Sequence, residues 1–280
     1  MAACQNQNSK LHQNKNHPTH TIKEAVVRQP NKWVLQLDLH NAFNCVDRSV
    51  MLAEVARVLP ECLPWAVTCY GAPSQLQFGS YTLTSSSGVQ QGDPFASDLF
   101  ALVLQPLIET IEAEVPSLEA HAWFHDDSNS VGSKEELKTV VEVVKRDGPA
   151  RGLHLNVDKS SIWSPLATGP GAGDPLGCGI KRIQDSGIKL LGCPIGSREF
   201  VQRFLEEKAE KIKSITTELS TLHHPHLEFV LLRSCLALPK FIFLLRTTDS
   251  TPFSQTLQQF DHITREGLSR IIGGPVSDLE

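Results

Sequence analysis

The sequence predicts an α+β fold, an antiparallel sheet backed by helices, which is followed by an α-helical region from about residue 199. The first observation is that short apolar runs typical of buried strands, such as Trp33–Leu39, occur only before that point. The second is the helical periodicity between these runs. It predicts helices near 48–59, 93–114 and 134–147. The third is that only the helical period persists later, with one apolar face formed by Val201, Phe204, Leu205, Ile212, Ile215 and Leu219.

Individual elements carry recognisable start and stop signals. Asp47 is placed to cap the first predicted helix, and Ser133 with Glu136 forms a capping box for the third. The residues from His121 to Val131 read as a strand, a tight turn and a second strand. Residues 1–30 are rich in Asn, Gln, Lys and His and lack hydrophobic periodicity, so we expect a disordered or loosely ordered lead-in there.

The composition restricts the class of protein. A hydrophobic share of 40% over 280 residues is sufficient for a core. The formal net charge of −5 gives no basic excess that would by itself argue for nucleic-acid binding. The most apolar stretch, from Leu227 to Leu245, contains three charged residues and a proline, so we expect no membrane span.

The cysteine pattern and the N-terminus bear on the compartment. The seven cysteines are odd in number and include no C-x-x-C pair, which favours reduced thiols over disulfides or a zinc site. The polar N-terminus has no apolar signal-peptide segment. We therefore expect an intracellular protein, in either the cytoplasm or the nucleus.

Three aspartates are candidates for metal chemistry. Asp38 lies at the end of the first apolar strand, where Asp is uncommon, and Asp126 and Asp127 lie in the predicted turn. Mg²⁺ takes hard oxygen ligands, and two ions about 3.5–4 Å apart can clamp an in-line phosphoryl displacement. Two acids at a hairpin tip that face a third on a neighbouring strand can form such a site. An Asp-Asp pair is also common in ordinary turns, because Asp bonds to its own backbone there.

Five segments, in chain order, resemble motifs of reverse transcriptases, and their sequences are closest to the non-LTR (LINE-like) retrotransposon branch. They are Leu37–Phe43 (LDLHNAF), Gly88–Pro94 (GVQQGDP), Phe124–Asp127 (FHDD), Gly152–Asn156 (GLHLN) with Lys159, and Leu190–Gly196 (LLGCPIG). The resemblance covers about residues 32–245. It implies that the lead-in is followed by a polymerase palm over residues 31–198, whose sheet carries the aspartates, and then by a helical thumb-like region over residues 199–280.

The resemblance also implies a catalytic centre. Asp38, Asp126 and Asp127 would be the metal-binding catalytic acids, holding two Mg²⁺ or Mn²⁺ ions, and the Leu39 carbonyl would complete the coordination. Lys159 matches a lysine that protonates the departing pyrophosphate. A solvated surface lysine is the alternative interpretation.

Further matched residues would contact the substrates. Phe43 would lie under the sugar of the incoming nucleotide and exclude a 2′-hydroxyl, although a core phenylalanine is an alternative. Gln91 and Gly92 would contact the nucleotide and the template, or else form a polar loop ahead of a helix. The hairpin residues Leu191, Gly192 and Gly196 would hold the primer end.

The implied function is that of an RNA-directed DNA polymerase, with an RNA template, a DNA primer and deoxynucleoside triphosphates as partners and an oligomeric state left open. Two departures qualify it. His125 stands where the family usually has a small residue, and we match no fingers region in the residues before Asp38. The alternative is a truncated, inactive retrotransposon remnant with at most weak nucleic-acid binding. A third interpretation is an RNA-templated RNA polymerase or another palm enzyme, which the Phe43 position and the second motif disfavour.

Overall fold

A computed structural model of the chain describes residues 18–167, 171, 173–249 and 251–276. The chain divides into two compact units, Met1–Gln184 and Asp185–Glu280. In the part of the chain that is described, no helix is both long and apolar enough to cross a membrane. The six cysteines of that part are free thiols, as their spacing predicts.

The first unit is built on a five-stranded sheet. Its strands and those of a separate two-stranded hairpin are, in chain order, β1 (Trp33–Leu39), β2 (Ser74–Phe78), β3 (Tyr81–Ser85), β4 (Ala120–Phe124), β5 (Asp127–Gly132), β6 (Leu155–Trp163) and β7 (Lys181–Arg182). The order in the large sheet is β4-β5-β1-β6-β7, and β2 pairs with β3 alone. All pairings are antiparallel except β6 with β7. The predicted α+β class is therefore confirmed.

The first unit also contains α-helices. They are α1 (Pro18–Arg28), α2 (Ala42–Cys45), α3 (Arg48–Val58), α4 (Leu63–Tyr70), α5 (Ala96–Glu114) and α6 (Lys134–Asp147). The three predicted helices correspond to α3, α5 and α6. Asp47 caps α3 by accepting hydrogen bonds from the amides of Ser49 and Val50 at 2.8 and 2.9 Å, and the Ser133–Glu136 capping box of α6 is present.

Helix α1 corrects the expectation of a loosely ordered lead-in over residues 1–30. Ile22, Ala25 and Val26 are buried at the i, i+3 and i+4 spacing of one helix face. This stripe is too short to be conspicuous in a polar sequence, and burial of the stripe stabilises the helix. The remainder of the predicted lead-in, residues 1–17, lies outside the described residues.

The side chains of strand β1 alternate between the core and the opposite face of the sheet. Successive side chains of a strand point to opposite faces. Leu35, Leu37 and Leu39 accordingly enter the core shared with Met51, Phe100, Val140 and Val144, all almost fully buried. Gln36 and Asp38 alternate with these leucines and are only half-buried. The hydrophobic pattern thus turns Asp38 away from this core.

The second unit combines a hairpin with helices. Its elements are β8 (Gly187–Leu190), β9 (Cys193–Gly196), α7 (Arg198–Glu218), α8 (Pro225–Leu231), α9 (Leu238–Thr247) and α10 (Ser254–Ile272). Phe241 and Phe260 stack at a centroid distance of 4.4 Å in its core. The hairpin packs so closely on α7 that a Cβ on Gly187 would lie 2.3 Å from the Phe200 ring. This contact groups the hairpin with the helices, so the unit begins earlier than residue 199.

Candidate active site

The hairpin β4–β5 presents two acids at its tip. Phe124 pairs with Asp127, which leaves a turn of only two residues, His125 and Asp126. His125 has φ 55°, a left-handed conformation that glycine usually supplies at the first position of such turns. A non-glycine residue held there is typical of strained functional turns.

The sheet brings Asp38 to the same end. Strand β1 lies beside β5, with Leu37 opposite Ser128, so Asp38 is next to the start of β5. Burial raises the pKa of Asp127 above its ordinary value, the negative charges of Asp126 and Asp38 raise it further, and His125 opposes this effect. Asp127 is thus close enough to Asp38 and Asp126 for their charges to repel its own. Leu39, the last residue of β1, carries its carbonyl at this end too.

The acids have the chemistry of a site for hard divalent cations. Asp38 Oδ1 is buried and has no hydrogen-bond partner among the described residues. An unpartnered buried carboxylate oxygen is costly, and a cation is one way to compensate it. Three carboxylates form an oxygen-only donor set that suits Mg²⁺ or Mn²⁺. As the side chains stand, however, no group of three or more His, Cys, Asp or Glu residues within the described ranges is arranged to hold a metal ion.

Phe43 occupies a position between the core and the aspartate turn. Its ring stacks on that of Phe100 with centroids 4.5 Å apart and an interplanar angle of 9°. The same ring lies 5.7 Å from the His125 ring. The structure therefore supports the core interpretation of Phe43, and it also places the ring beside the turn that carries Asp126.

The segment containing Gln91 and Gly92 is tied to the chain around Phe43. The amide of Val89 donates to the Phe43 carbonyl, and that of Gly88 donates to the Val46 carbonyl, both at 2.8 Å. A Cβ on Gly88 would come within 2.5 Å of backbone atoms of Asn44, so only glycine fits there. Gln91 is exposed, and Gly92 adopts φ 93°.

Lys159 lies in a bulge of β6 next to Asp38. Asp38 pairs with Asn156 while Gln36 pairs with Ser161, so the residues between them protrude from the ladder. The buried Ser160 closes the bulge, since its Oγ accepts from the Asp38 amide at 3.1 Å and donates to the Asn156 carbonyl at 2.7 Å. The Lys159 amide donates to Asn156 Oδ1 at 3.3 Å. The exposed Lys159 side chain is therefore carried at the same end of the sheet as Asp38.

The hairpin residues predicted to hold the primer belong to the second unit. Leu191 and Gly192 form the two-residue turn between β8 and β9, with φ 47° and 89°. Two positive φ angles are typical of a type I′ turn, in which Asn-Gly is common and Leu is not. Gly196 ends β9, and a Cβ there would lie 2.3 Å from the Gly187 Cα.

Two residues outside the motifs, Arg48 and Tyr70, hold the Gln91 segment. Arg48 is only 7% exposed, and its guanidinium donates to the carbonyls of Gly88 and Ser85, both at 2.9 Å. The Tyr70 hydroxyl bonds to Gln90 and Asp93 of the segment. Arg48 could have been noticed, because its spacing to Met51 and Val55 places it on the buried face of α3. No local signal marks Tyr70.

Known proteins resemble the chain in sequence and fold. A family model described as reverse transcriptase (RNA-dependent DNA polymerase) matches residues 2–195. The retrotransposable element SLACS 132 kDa protein of Trypanosoma brucei gambiense is 24% identical over 271 residues, which are 92% of this chain and 22% of that protein. The chain thus spans about a fifth of the length of this curated relative. The apo telomerase of Candida tropicalis is similar in fold, with a TM-score of 0.50 at 11% identity over 90% of this chain and 49% of that one.

Proposed function

The chain belongs to the reverse transcriptase family, and on this basis we propose that it is an RNA-directed DNA polymerase of the non-LTR retrotransposon type. It would extend the 3′ end of a DNA primer along an RNA template, with deoxynucleoside triphosphates as substrates. The observation that carries the proposal is the meeting of Asp38, Asp126 and Asp127 at one end of the sheet, where the pKa of Asp127 is raised. Such a cluster of acids is typical of a site that works with cations.

The three aspartates and the Leu39 carbonyl would hold two divalent cations. When bound, such ions activate the attacking hydroxyl and neutralise charge on the transferred phosphate. The repulsion of Asp127 by the other two acids and the unpartnered Asp38 Oδ1 support this role. The oxygen donors fit Mg²⁺ or Mn²⁺ rather than a thiolate-seeking metal.

Further matched residues would bind and orient the substrates. Gln91 offers an amide donor and acceptor to the nucleotide, and Gly92 lets the backbone approach it closely. The Phe43 ring would exclude a 2′-hydroxyl, and Lys159 Nζ would give a proton to the departing pyrophosphate. Leu191, Gly192 and Gly196 of the second unit would hold the primer end. Positioning of this kind is the main contribution of a protein to phosphoryl transfer.

Primer extension on an RNA template annealed to a DNA primer, with Mg²⁺ or Mn²⁺, tests the proposal. The wild-type chain should extend the primer, and the double variant Asp126→Ala, Asp127→Ala should not. Asp261→Ala removes an exposed aspartate of the second unit and is the matched control, which should extend as the wild type does. Absence of extension by folded wild-type protein, or equal extension by the double variant, would contradict the proposal.

A further inference from the structure

The exposed residues Gln91 and Gly92 depend on their flanks for a fixed position. Within the described ranges, the Gln91 side chain makes no hydrogen bond, and a Cβ on Gly92 would meet nothing within 4 Å. The Asp93 amide donates to the Gln90 carbonyl at 3.2 Å and closes the turn. A ligand that engages Gln91 therefore binds a short loop whose geometry is set at Gln90 and Asp93.

One hydroxyl group joins these two flanking residues. Tyr70 Oη accepts a hydrogen bond from the Gln90 amide at 3.3 Å. The same hydroxyl donates to Asp93 Oδ2. The other oxygen of Asp93 accepts from the Phe95 amide at 2.9 Å, at the start of α5. Tyr70 thus links the front of the loop to the helix that follows it.

The Tyr70 side chain is fixed by burial and by contact with Arg48. It is almost fully buried at the end of α4. The Arg48 guanidinium lies 5.4 Å from the centre of its ring, a favourable cation–π arrangement, while binding Gly88 and Ser85. Burial and the bond to Asp93 raise the pKa of Tyr70 to about 12, so the hydroxyl keeps its proton near neutral pH.

We infer that Tyr70 is a positioning residue for the incoming nucleotide: its hydroxyl bridges Gln90 and Asp93 and thereby presents Gln91 and Gly92 in their binding geometry. The inference rests on the proposed function and deepens it, because it concerns nucleotide affinity. Tyr70 would not touch the nucleotide. Its loss should loosen the loop, weaken substrate binding and leave the aspartate chemistry in place.

Replacement of one atom tests the inference. Tyr70→Phe removes the bridging hydroxyl and keeps the buried ring. Tyr81→Phe makes the same change at the only other tyrosine, which is 70% exposed on β3, and is the matched control. We expect Tyr70→Phe to raise the KM for deoxynucleoside triphosphates about fivefold, a factor equivalent to the net contribution of one typical hydrogen bond, with kcat within about twofold of wild type. Tyr81→Phe should change neither constant.

Hydrogen exchange and a second variant separate positioning from general destabilisation. Exchange at the Gln90 amide should accelerate in Tyr70→Phe while exchange in the core strand β1 does not. Asp93→Asn should raise KM as well, and the double variant should raise it less than the product of the two factors, because both changes break one network. An unchanged KM in Tyr70→Phe, or a proportional fall in kcat with faster exchange throughout the unit, overturns the inference.

Failure of the inference about Tyr70 can be distinguished from failure of the proposed function. If the wild-type chain extends no primer, equilibrium binding of a fluorescent deoxynucleoside triphosphate with Mg²⁺ decides the inference. A Kd weakened about fivefold by Tyr70→Phe supports the positioning role. An equal Kd, or no binding by the wild type, rejects it.

Discussion

The backbone amide of Asp38 donates a hydrogen bond to Ser160 Oγ, at 3.1 Å, across two neighbouring strands. Because Ser160 Oγ also binds the Asn156 carbonyl at 2.7 Å, one hydroxyl closes the bulge that carries Lys159 and attaches it to the strand that ends in a candidate catalytic acid. The relative position of Asp38 and Lys159 therefore depends on Ser160.

Replacement of Ser160 by alanine should uncouple these two residues. We expect Ser160→Ala to lower kcat about tenfold, since small displacements of catalytic groups are costly, with little change in the KM for nucleotide. The free energy of unfolding should fall by about 1–3 kcal/mol, which is typical of two lost hydrogen bonds. Steady-state primer extension and chemical denaturation measure the two effects.

Ser161→Ala provides the control for this variant. The Ser161 hydroxyl bonds to Gln36 Oε1 at 3.3 Å rather than to Asp38. Its kcat should stay within about twofold of wild type. A kcat loss of equal size in the two variants would show that the loss of either serine hydroxyl lowers the rate, and that the contact between Ser160 and Asp38 has no special role.

Local patterns predicted most of the elements that carry the site. The apolar run of β1, the two-residue turn of the β4–β5 hairpin and the glycine-bearing segment at 88–94 each signal their structure within a few residues. The motifs in these segments occur in the order typical of reverse transcriptases, and they therefore also indicated the family. Helix α1 was missed because its apolar stripe is short and is stabilised by burial rather than by local preference.

The supporting contacts could not be predicted, because they join residues far apart in the chain. Tyr70 is 23 positions from Asp93, Arg48 is 40 from Gly88, and Ser160 is 122 from Asp38. A tyrosine, an arginine or a serine has no local pattern that reveals its partner. Such pairings are decided by the packing of complete elements.

Phe43 allows a test between its two interpretations. Phe43→Val should increase the incorporation of ribonucleotides relative to deoxynucleotides at least about tenfold, if the ring excludes the 2′-hydroxyl. It should also destabilise the chain by about 2–3 kcal/mol, because the ring stacks on Phe100. Phe100→Leu is the control, since that fully buried ring should affect stability alone. Destabilisation by Phe43→Val without any change in nucleotide preference would leave Phe43 as a core residue.

His125 should reveal backbone strain in the aspartate turn. Both His125→Gly and His125→Ala remove the imidazole, so the difference between them isolates the backbone at φ 55°. We expect the glycine variant to be more stable than the alanine variant by about 1 kcal/mol in chemical denaturation. At Ala101, an exposed position inside α5, the order should reverse, with Ala101→Gly less stable by about 1 kcal/mol. Equal stability of the two His125 variants would mean that the turn changes to a backbone conformation that alanine adopts without strain.

Glu136 should make the stability of the first unit depend on pH. Partial burial opposes its ionisation, but hydrogen bonds from Ser117, Ser133 and Lys32 outweigh this effect and lower the pKa of Glu136 from 4.5 to about 2. A carboxyl with a lowered pKa stabilises the fold above its ordinary pKa, and this contribution is lost as the pH falls from about 4.5 towards 2.

Glu136→Gln should therefore cost about 1–2 kcal/mol at pH 7 in the free energy of unfolding and almost nothing near pH 2. Glu135→Gln, at the exposed neighbouring position of the same helix turn, should show no such pH dependence. If the difference in the free energy of unfolding between wild type and Glu136→Gln is constant over this range, the charge of Glu136 does not contribute to the stability.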